Sequence, residues 1–356
     1  MASTAPENSF DLAALSPAKR AALEAMLLAK QSGQAAAERI PRREAGADAV
    51  LSYAEQRLWL LDRLEPNHPF YNMPLAARLT GKLDPAAFSR SLSQLVTRHE
   101  TLRYGYTTDA GQPRRTVHDE VTVAPRFVDL RGEAIDDAAL QRRMRVEART
   151  PFDLSSPPLL RCVVYELSDE ERVVLLVMHH IISDGWSMGV MLAELAALYD
   201  AAVERPCIES PLAPLPIQYS DFAVWQRERL DGEPFEEQVD FWRRTFADAP
   251  PPIELPIDFA RSPVQDFDGA VLPFALPATT SKEINATAQR FQATPFMVLM
   301  AAYQAWLSRY TGEVDVCVGS AVANRTKAEL EKLIGFFVNT LAVRSDLSDD
   351  PAFEEL

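Results

Sequence analysis

The 356 residues carry 51 acidic against 36 basic side chains, a formal net charge of −15, which argues against nucleic acid or an anionic membrane surface as partner. With 47% hydrophobic and 24% charged residues there is material for real cores, and the length suggests about two domains. No apolar run approaches the ~20 residues of a membrane span, and the N-terminal MASTAPENSFDLAAL lacks the basic stretch and apolar core of a signal peptide. Cys162, Cys207 and Cys317 are too scattered for a disulfide framework or a CxxC metal site, so the expectation is a cytoplasmic soluble protein with its thiols as small core residues.

Residues 15–30 read as a helix, with Ser16 placed to cap, Pro17 at the first position and Leu23, Met26 and Leu27 at helical spacing. The following QSGQAAAERIPRREAGA has no apolar period and reads as a linker. Residues 1–46 are thus either a leader helix or a tethered docking element for a partner protein.

From Leu51 the pattern is mixed α and β. Gln56, Leu58 and Trp59 begin an amphipathic helix, 72–83 reads as a strand, and Asp84–His99 as a helix with Phe88, Leu92 and Leu95 on its apolar face. Strands are expected at 101–107, 121–129 and 159–167. RVVLLVM (172–178) is a continuous apolar run, as in a strand buried on both faces, and a helix follows over 187–203. Proline punctuation at 211–217 divides the chain into lobes of 47–216 and 217–356. The second opens with helices at 219–230 and 235–247, the first placing Tyr219, Phe222 and Trp225 at core spacing. A strand near 270–276, helices near 279–292 and 295–310, and strands at 314–322 and 336–345 complete it. Asn339 falls within that last apolar strand, where a buried amide needs hydrogen-bond partners. The ending, DPAFEEL, resembles the start of a helix, so the second lobe is expected to be incomplete.

Chemistry concentrates in VMHHIISDGWSMG (177–189), which holds two of only five histidines. Successive strand residues point to opposite faces, so His179 and His180 are poorly placed to share a metal, unlike helical histidines four apart. One imidazole can face a cavity while the other packs. Asp184 sits where an aspartate caps a helix and complements its dipole. Gly185 allows a tight turn and close backbone approach, and the helix start offers N–H groups to a developing oxyanion. Arg103, on a strand, reads as a structural charge partner, with Asp184 its candidate acid.

The pattern HHxxxDG, His179 to Gly185, resembles the signature of nonribosomal peptide synthetase condensation domains, within the chloramphenicol-acetyltransferase-like superfamily. LSYAEQRLWLL (51–61), RHETLR (98–103), YSDFAVWQ (219–226) and IGFFVNTLAVR (334–344) look like the family's other motifs, in the family's order. The resemblance implies an α/β fold of two chloramphenicol-acetyltransferase-like lobes in a V-shaped pseudo-dimer, the second truncated. It makes His180 catalytic, His179, Asp184, Gly185 and Ser187 the rest of the active-site motif, and Asn339 a residue of the substrate channel. No metal and no covalently bound cofactor are implied. Substrates would arrive on the phosphopantetheine arms of upstream and downstream carrier proteins, and an acceptor α-amine would attack a donor thioester to form an amide. Cyclising relatives carry aspartates where this chain has His179-His180, which favours amide formation over heterocycle formation. The family's closing histidine motif, a carrier serine motif and an adenylation signature are missing, as in a fragment of a larger synthetase. A start at Met1 would bring the donor from another synthetase chain, with residues 1–46 as the candidate contact. A free-standing acyltransferase using coenzyme A or a carrier, an epimerisation domain and a non-catalytic carrier-binding platform stay open.

Overall fold

The computed structural model describes residues 39–43, 50–205, 210–230, 233–248, 250, 252–260 and 269–356. The helix expected at 15–30, most of the 1–46 segment and Cys207 lie outside the described residues.

Helix α1 (Tyr53–Leu64) begins at a reciprocal capping box: Ser52 Oγ accepts the Glu55 N–H and the Glu55 carboxylate accepts the Ser52 N–H. Strand β1 (Asn72–Thr80) follows, then helix α2 (Pro85–Arg98), started by the Asp84 cap and a proline at its first position. A short 3-10 turn (Glu100–Arg103) leads into the hairpin of β2 (Tyr104–Asp109) and β3 (Gln112–Val117). Next come β4 (Arg126–Asp129), α3 (Asp137–Ala148), β5 (Leu160–Glu166), β6 (Glu171–His179) and the 20-residue α4 (Gly185–Glu204). One mixed sheet has the order β1-β6-β5-β4, with β6 antiparallel to both neighbours and β4 parallel to β5. The register sets Asn72 opposite His179 and Leu160 opposite Met178, so the apolar run of β6 lies between two partner strands. Helices α2 and α4 pack on each other, burying Phe88, Leu92 and Leu95 with Met191, Leu195 and Leu198. Contrary to the expectation that no apolar run approaches a membrane span, helix α4 is long and apolar enough to cross one by length and composition; one face of it packs into the core. Its Glu194 is buried on Arg98 and His99.

The second part comprises α5 (Tyr219–Arg229), α6 (Glu233–Thr245), α7 (Ala278–Arg290), α8 (Pro295–Thr311) and the antiparallel pair β7 (Asp315–Val322) and β8 (Asn339–Asp346). Most of its large apolar residues stay accessible. Its contributions to the main core are Tyr219 and Phe222 of α5 and the irregular stretch carrying Leu330, Leu333, Ile334, Phe336 and Phe337, which inserts among residues of the first part.

Several expectations change. Residues 270–276 form no strand: Val271, Leu272 and Phe274 are 93%, 87% and 85% exposed. Apolar neighbours do not alternate there, and Pro273 removes a ladder donor. The span 101–107 is half 3-10 turn, because Thr101 and Leu102 anchor in the core before β2 begins. Only 126–129 of the run 121–129 pairs as a strand, and the strand near 336 starts at Asn339. Strand β3 has no strong sequence signal, and helix α3, capped by Asp136, lacks an apolar face to mark it. QPRRTV carries few apolar residues, and α3 buries only Leu140. Residues 39–43, within the supposed linker, are seated on the body. Ile40 is buried with its N–H on Glu329 (2.8 Å), and Arg42 donates to the Leu215 and Pro216 carbonyls (2.6 Å each). One apolar anchor gives no period to detect.

The inserted stretch has one position at which only hydrogen fits. A Cβ on Gly335 would lie 2.1 Å from Tyr219 Cδ2 and 2.9 Å from Phe337 Cε2, and Tyr219 is fully buried with its hydroxyl on the Phe336 carbonyl. Gly335→Ala is expected to cost ~3 kcal/mol or more in urea unfolding, while Gly189→Ala, exposed on α4 with open space around it, holds or slightly raises the midpoint. Equal midpoints for the two variants would show that the insertion is not tightly packed.

Candidate active site

Strand β6 ends at His179, and the chain turns through a 3-10 segment (His180–Ile182) into α4. The two histidines therefore differ by more than strand alternation. His179 is buried, its Nδ1 accepting the Ile181 N–H (3.1 Å) and its ring lying edge-on to Tyr71 and Phe152 at 6.1 and 6.3 Å. Burial, with a smaller push from His180, lowers its pKa to about 3. His180 is half-buried. Its N–H donates to the Tyr71 carbonyl (2.7 Å), and its Nδ1 lies 2.6 Å from the Ser183 carbonyl. A carbonyl can only accept, so Nδ1 carries the proton of the neutral ring and Nε2 keeps its lone pair.

Asp184 is the fixed point of the turn. Its Oδ1 accepts the Ser187 N–H (2.8 Å), capping α4, and lies 2.7 Å from Ser187 Oγ. Its Oδ2 accepts the Phe337 N–H (3.0 Å) from the inserted stretch. The cation beside it is Arg325 at 3.2 Å, both side chains only 2% exposed. Arg325 also donates to Ser187 Oγ and the carbonyls of Leu330 and Leu333. Ser187 Oγ accepts the Gly335 N–H at 3.0 Å. Arg103, expected as the partner of Asp184, instead donates to the carbonyls of Val96 and His118. Chain order misleads here: Arg325 lies 141 residues from Asp184, in a stretch with no local pattern to mark it.

Gly185 is corrected as well. It is the first residue of α4, exposed, outside the left-handed region, with nothing within 4 Å of a would-be Cβ. No tight turn or close approach demands glycine; its effect is open space beside the helix start. The Ser187 N–H is consumed by the cap, so it does not serve an oxyanion.

Two clefts are each lined by a residue that touches His180, although His180 itself lines neither: Phe336 in one and Tyr71 in the other. One, of about 300 Å³, is lined by Tyr53, Arg57, Gln226, Asn324, Phe336 and Asn339 among others. The Phe336 ring lies 4.6 Å from that of His180. Asn339, expected buried, is exposed at the start of β8, its side chain accepting the Thr340 N–H (3.0 Å), and reaches this cleft. The other, of about 370 Å³, is lined by Leu61, Asp62, Glu65, His68, Phe70 and Tyr71. Burial raises the Asp62 carboxyl above its usual range, Arg63 opposing. Helix α1 borders both clefts and is held from beneath by fully buried Glu55, which accepts from Arg115 (2.8 Å) and Tyr106 Oη (2.9 Å). The S-x-x-E spacing of Ser52 and Glu55 is a readable capping signal; the Arg115 partnership is not.

The family model described as Condensation domain matches residues 47–356. The chain is 45% identical over 312 residues to a linear gramicidin synthase component of Brevibacillus parabrevis, covering 87% of this chain and 6% of that protein. It is 41% identical over 348 residues to phosphinothricin tripeptide synthetase PhsC of Streptomyces viridochromogenes, covering 97% and 32%. It thus spans a small part of the length of these curated relatives. Among solved structures, the X-domain from teicoplanin biosynthesis superposes with a TM-score of 0.79 at 29% identity, covering 89% of this chain and 70% of that one. The first condensation domain of the CDA synthetase gives 0.71 at 25% identity, covering 87% and 73%.

Two outcomes test the geometry. Arg325→Ala leaves the Asp184 carboxylate buried without its cation and is expected to cost ~3–5 kcal/mol; thermal unfolding beside Arg103→Ala, whose guanidinium bonds backbone carbonyls rather than a carboxylate, checks it. His179 binds its proton in the unfolded chain from pH ~6.5 downward but in the folded chain only near 3, so stability falls as pH drops through that window. His179→Asn, whose amide oxygen can replace Nδ1, should flatten the fall, leaving the slope from His99, which burial also lowers. Identical pH–stability curves for wild type and variant would show that His179 is not a desolvated neutral group.

Proposed function

The chain belongs to the condensation-domain family, and on that premise we propose that it forms an amide between two carrier-bound thioesters. The donor acyl or peptidyl group arrives on an upstream carrier protein, and the acceptor is the α-amine of an aminoacyl thioester on a downstream carrier. The observation that carries the reading is the His180 ring, its Nδ1–H committed to the Ser183 carbonyl, which leaves the Nε2 lone pair as a base, with the Phe336 ring of a neighbouring cleft 4.6 Å away. An α-amino group titrates near pH 8, so a useful fraction is neutral at pH 7. Its nitrogen attacks the donor carbonyl, the C–N bond forms, and His180 Nε2 takes the proton from the developing ammonium. The C–S bond then breaks, and that proton passes to the departing thiolate. The two carriers hold both reactants near one imidazole and supply a large proximity contribution.

A second reading is a partner-binding platform that does no chemistry. It is favoured by the likeness to an X-domain, which has also been solved in complex with OxyB. The two readings part at one residue. With loaded donor and acceptor carriers, His180→Ala is expected to lower amide formation ~10²–10⁴-fold without loss of folding by circular dichroism. Wild-type rates from that variant would refute catalysis by His180 and leave the platform.

A further inference from the structure

Phe336 lies within the IGFFVNTLAVR stretch, and the proposed chemistry gives it no role. It is 3% exposed, yet it lines the 300 Å³ cleft and sets its ring 4.6 Å from that of His180. Its backbone is held at three successive residues: the Gly335 N–H on Ser187 Oγ (3.0 Å), the Phe336 carbonyl under Tyr219 Oη (2.7 Å) and the Phe337 N–H on Asp184 (3.0 Å). Tyr219 Oη is itself 2.8 Å from Ser52 Oγ, at the cap of α1. The backbone bonds fix where the ring is carried, and its burial at 3% exposure restricts its swing. Around it the cleft offers the amides of Asn324, Asn339 and Gln226, the Arg57 guanidinium, and apolar Tyr53, Leu230 and Phe235; among the described residues no carboxylate lines it. The other cleft, in contrast, carries Asp62 and Glu65.

Resting on the amide-forming reading, we infer that Phe336 is the wall between the Asn339 cleft and the reacting imidazole, and that it sets the size of the substituent admitted there. With the Arg57 guanidinium and no carboxylate in its lining, the cleft takes a thioester whose acyl substituent carries no positive charge. Trimming the ring merges the cleft with the space beside Nε2 and shifts preference toward bulkier substituents.

The test has two readouts on folded protein. Carbethoxylation of His180 by diethyl pyrocarbonate, followed by peptide mass spectrometry, should quicken several-fold in Phe336→Ala. The ratio of kcat/KM for a phenylalanyl over an alanyl thioester, offered first as acceptor and then as donor, should rise ~10-fold or more for one of the two, the scale on which apolar pockets discriminate. Where Phe336→Ala fails to fold, Phe336→Leu reads the same quantities with a smaller shift. Unchanged His180 modification overturns the wall, and faster modification with an unaltered size ratio overturns the selectivity. Faster modification with His180→Ala still fully active leaves the wall standing and removes the proposed chemistry instead.

Discussion

Everything at this site hangs on the Asp184 carboxylate. One oxygen caps the helix that leaves the histidine turn, the other takes a backbone N–H from the inserted stretch 153 residues later, and the Arg325 cation lies against it. Each bond compensates part of the cost of burying the charge. Removing any one leaves the rest with a worse environment, so the cluster acts as a unit rather than a sum of pairs. This gives the aspartate of the motif a physical role that does not require it to touch substrate: it ties the part of the chain that presents His180 to the part that presents Phe336 and the Asn339 cleft.

That tie explains why a buried polar cluster sits where an apolar core would be simpler to build. Packing alone holds the inserted stretch through Leu330, Leu333, Ile334 and Phe337, but apolar contacts do not fix a backbone to a fraction of an ångström. Directional bonds to Gly335, Phe336 and Phe337 do. Thr101, whose hydroxyl donates to the Ile334 carbonyl (2.7 Å), and His99, near the Ile334 N–H, extend the grip on its other side. Helix α5 is gripped in a similar way, with Ser220 donating to Glu100 and Arg227 to the Leu51 carbonyl, while the rest of the second part is more open. Its helix α8 shows a stacked ladder of Tyr303, Trp306 and Tyr310 that is about half exposed.

What the sequence discloses follows from range. The buried strand β6, helix α2 with its Asp84 cap and proline, and the turn from His179 to Ser187 are specified by neighbours in the chain, and their patterns are readable. Tyr219 and Phe222 are recognisable as core from helical spacing alone, and both are buried. The partners are not readable. Arg325 for Asp184, Arg115 for Glu55 and Phe336 for His180 join residues 60 to 156 positions apart, where no local period operates. The misreadings have the same origin. Asn339 has apolar neighbours, but it begins its strand rather than lying inside it. Arg103 suggests an acidic partner by its charge, yet backbone carbonyls close at hand satisfy it.

The adjacency of the two imidazoles poses a final electrostatic problem. A base that accepts a proton becomes a cation, and a second imidazole one residue away is the group most able to oppose it. Their coupling is visible in the push that His180 exerts on His179. Burial of His179 between Tyr71 and Phe152 resolves the conflict, because a ring whose pKa lies at about 3 stays uncharged at any pH where the α-amine is reactive. Its accepted hydrogen bond from the Ile181 N–H also needs the neutral form, since a doubly protonated ring has no lone pair to offer. The first histidine thus supports the second by remaining neutral, and by holding the turn whose Ser183 carbonyl fixes which nitrogen of His180 is the base.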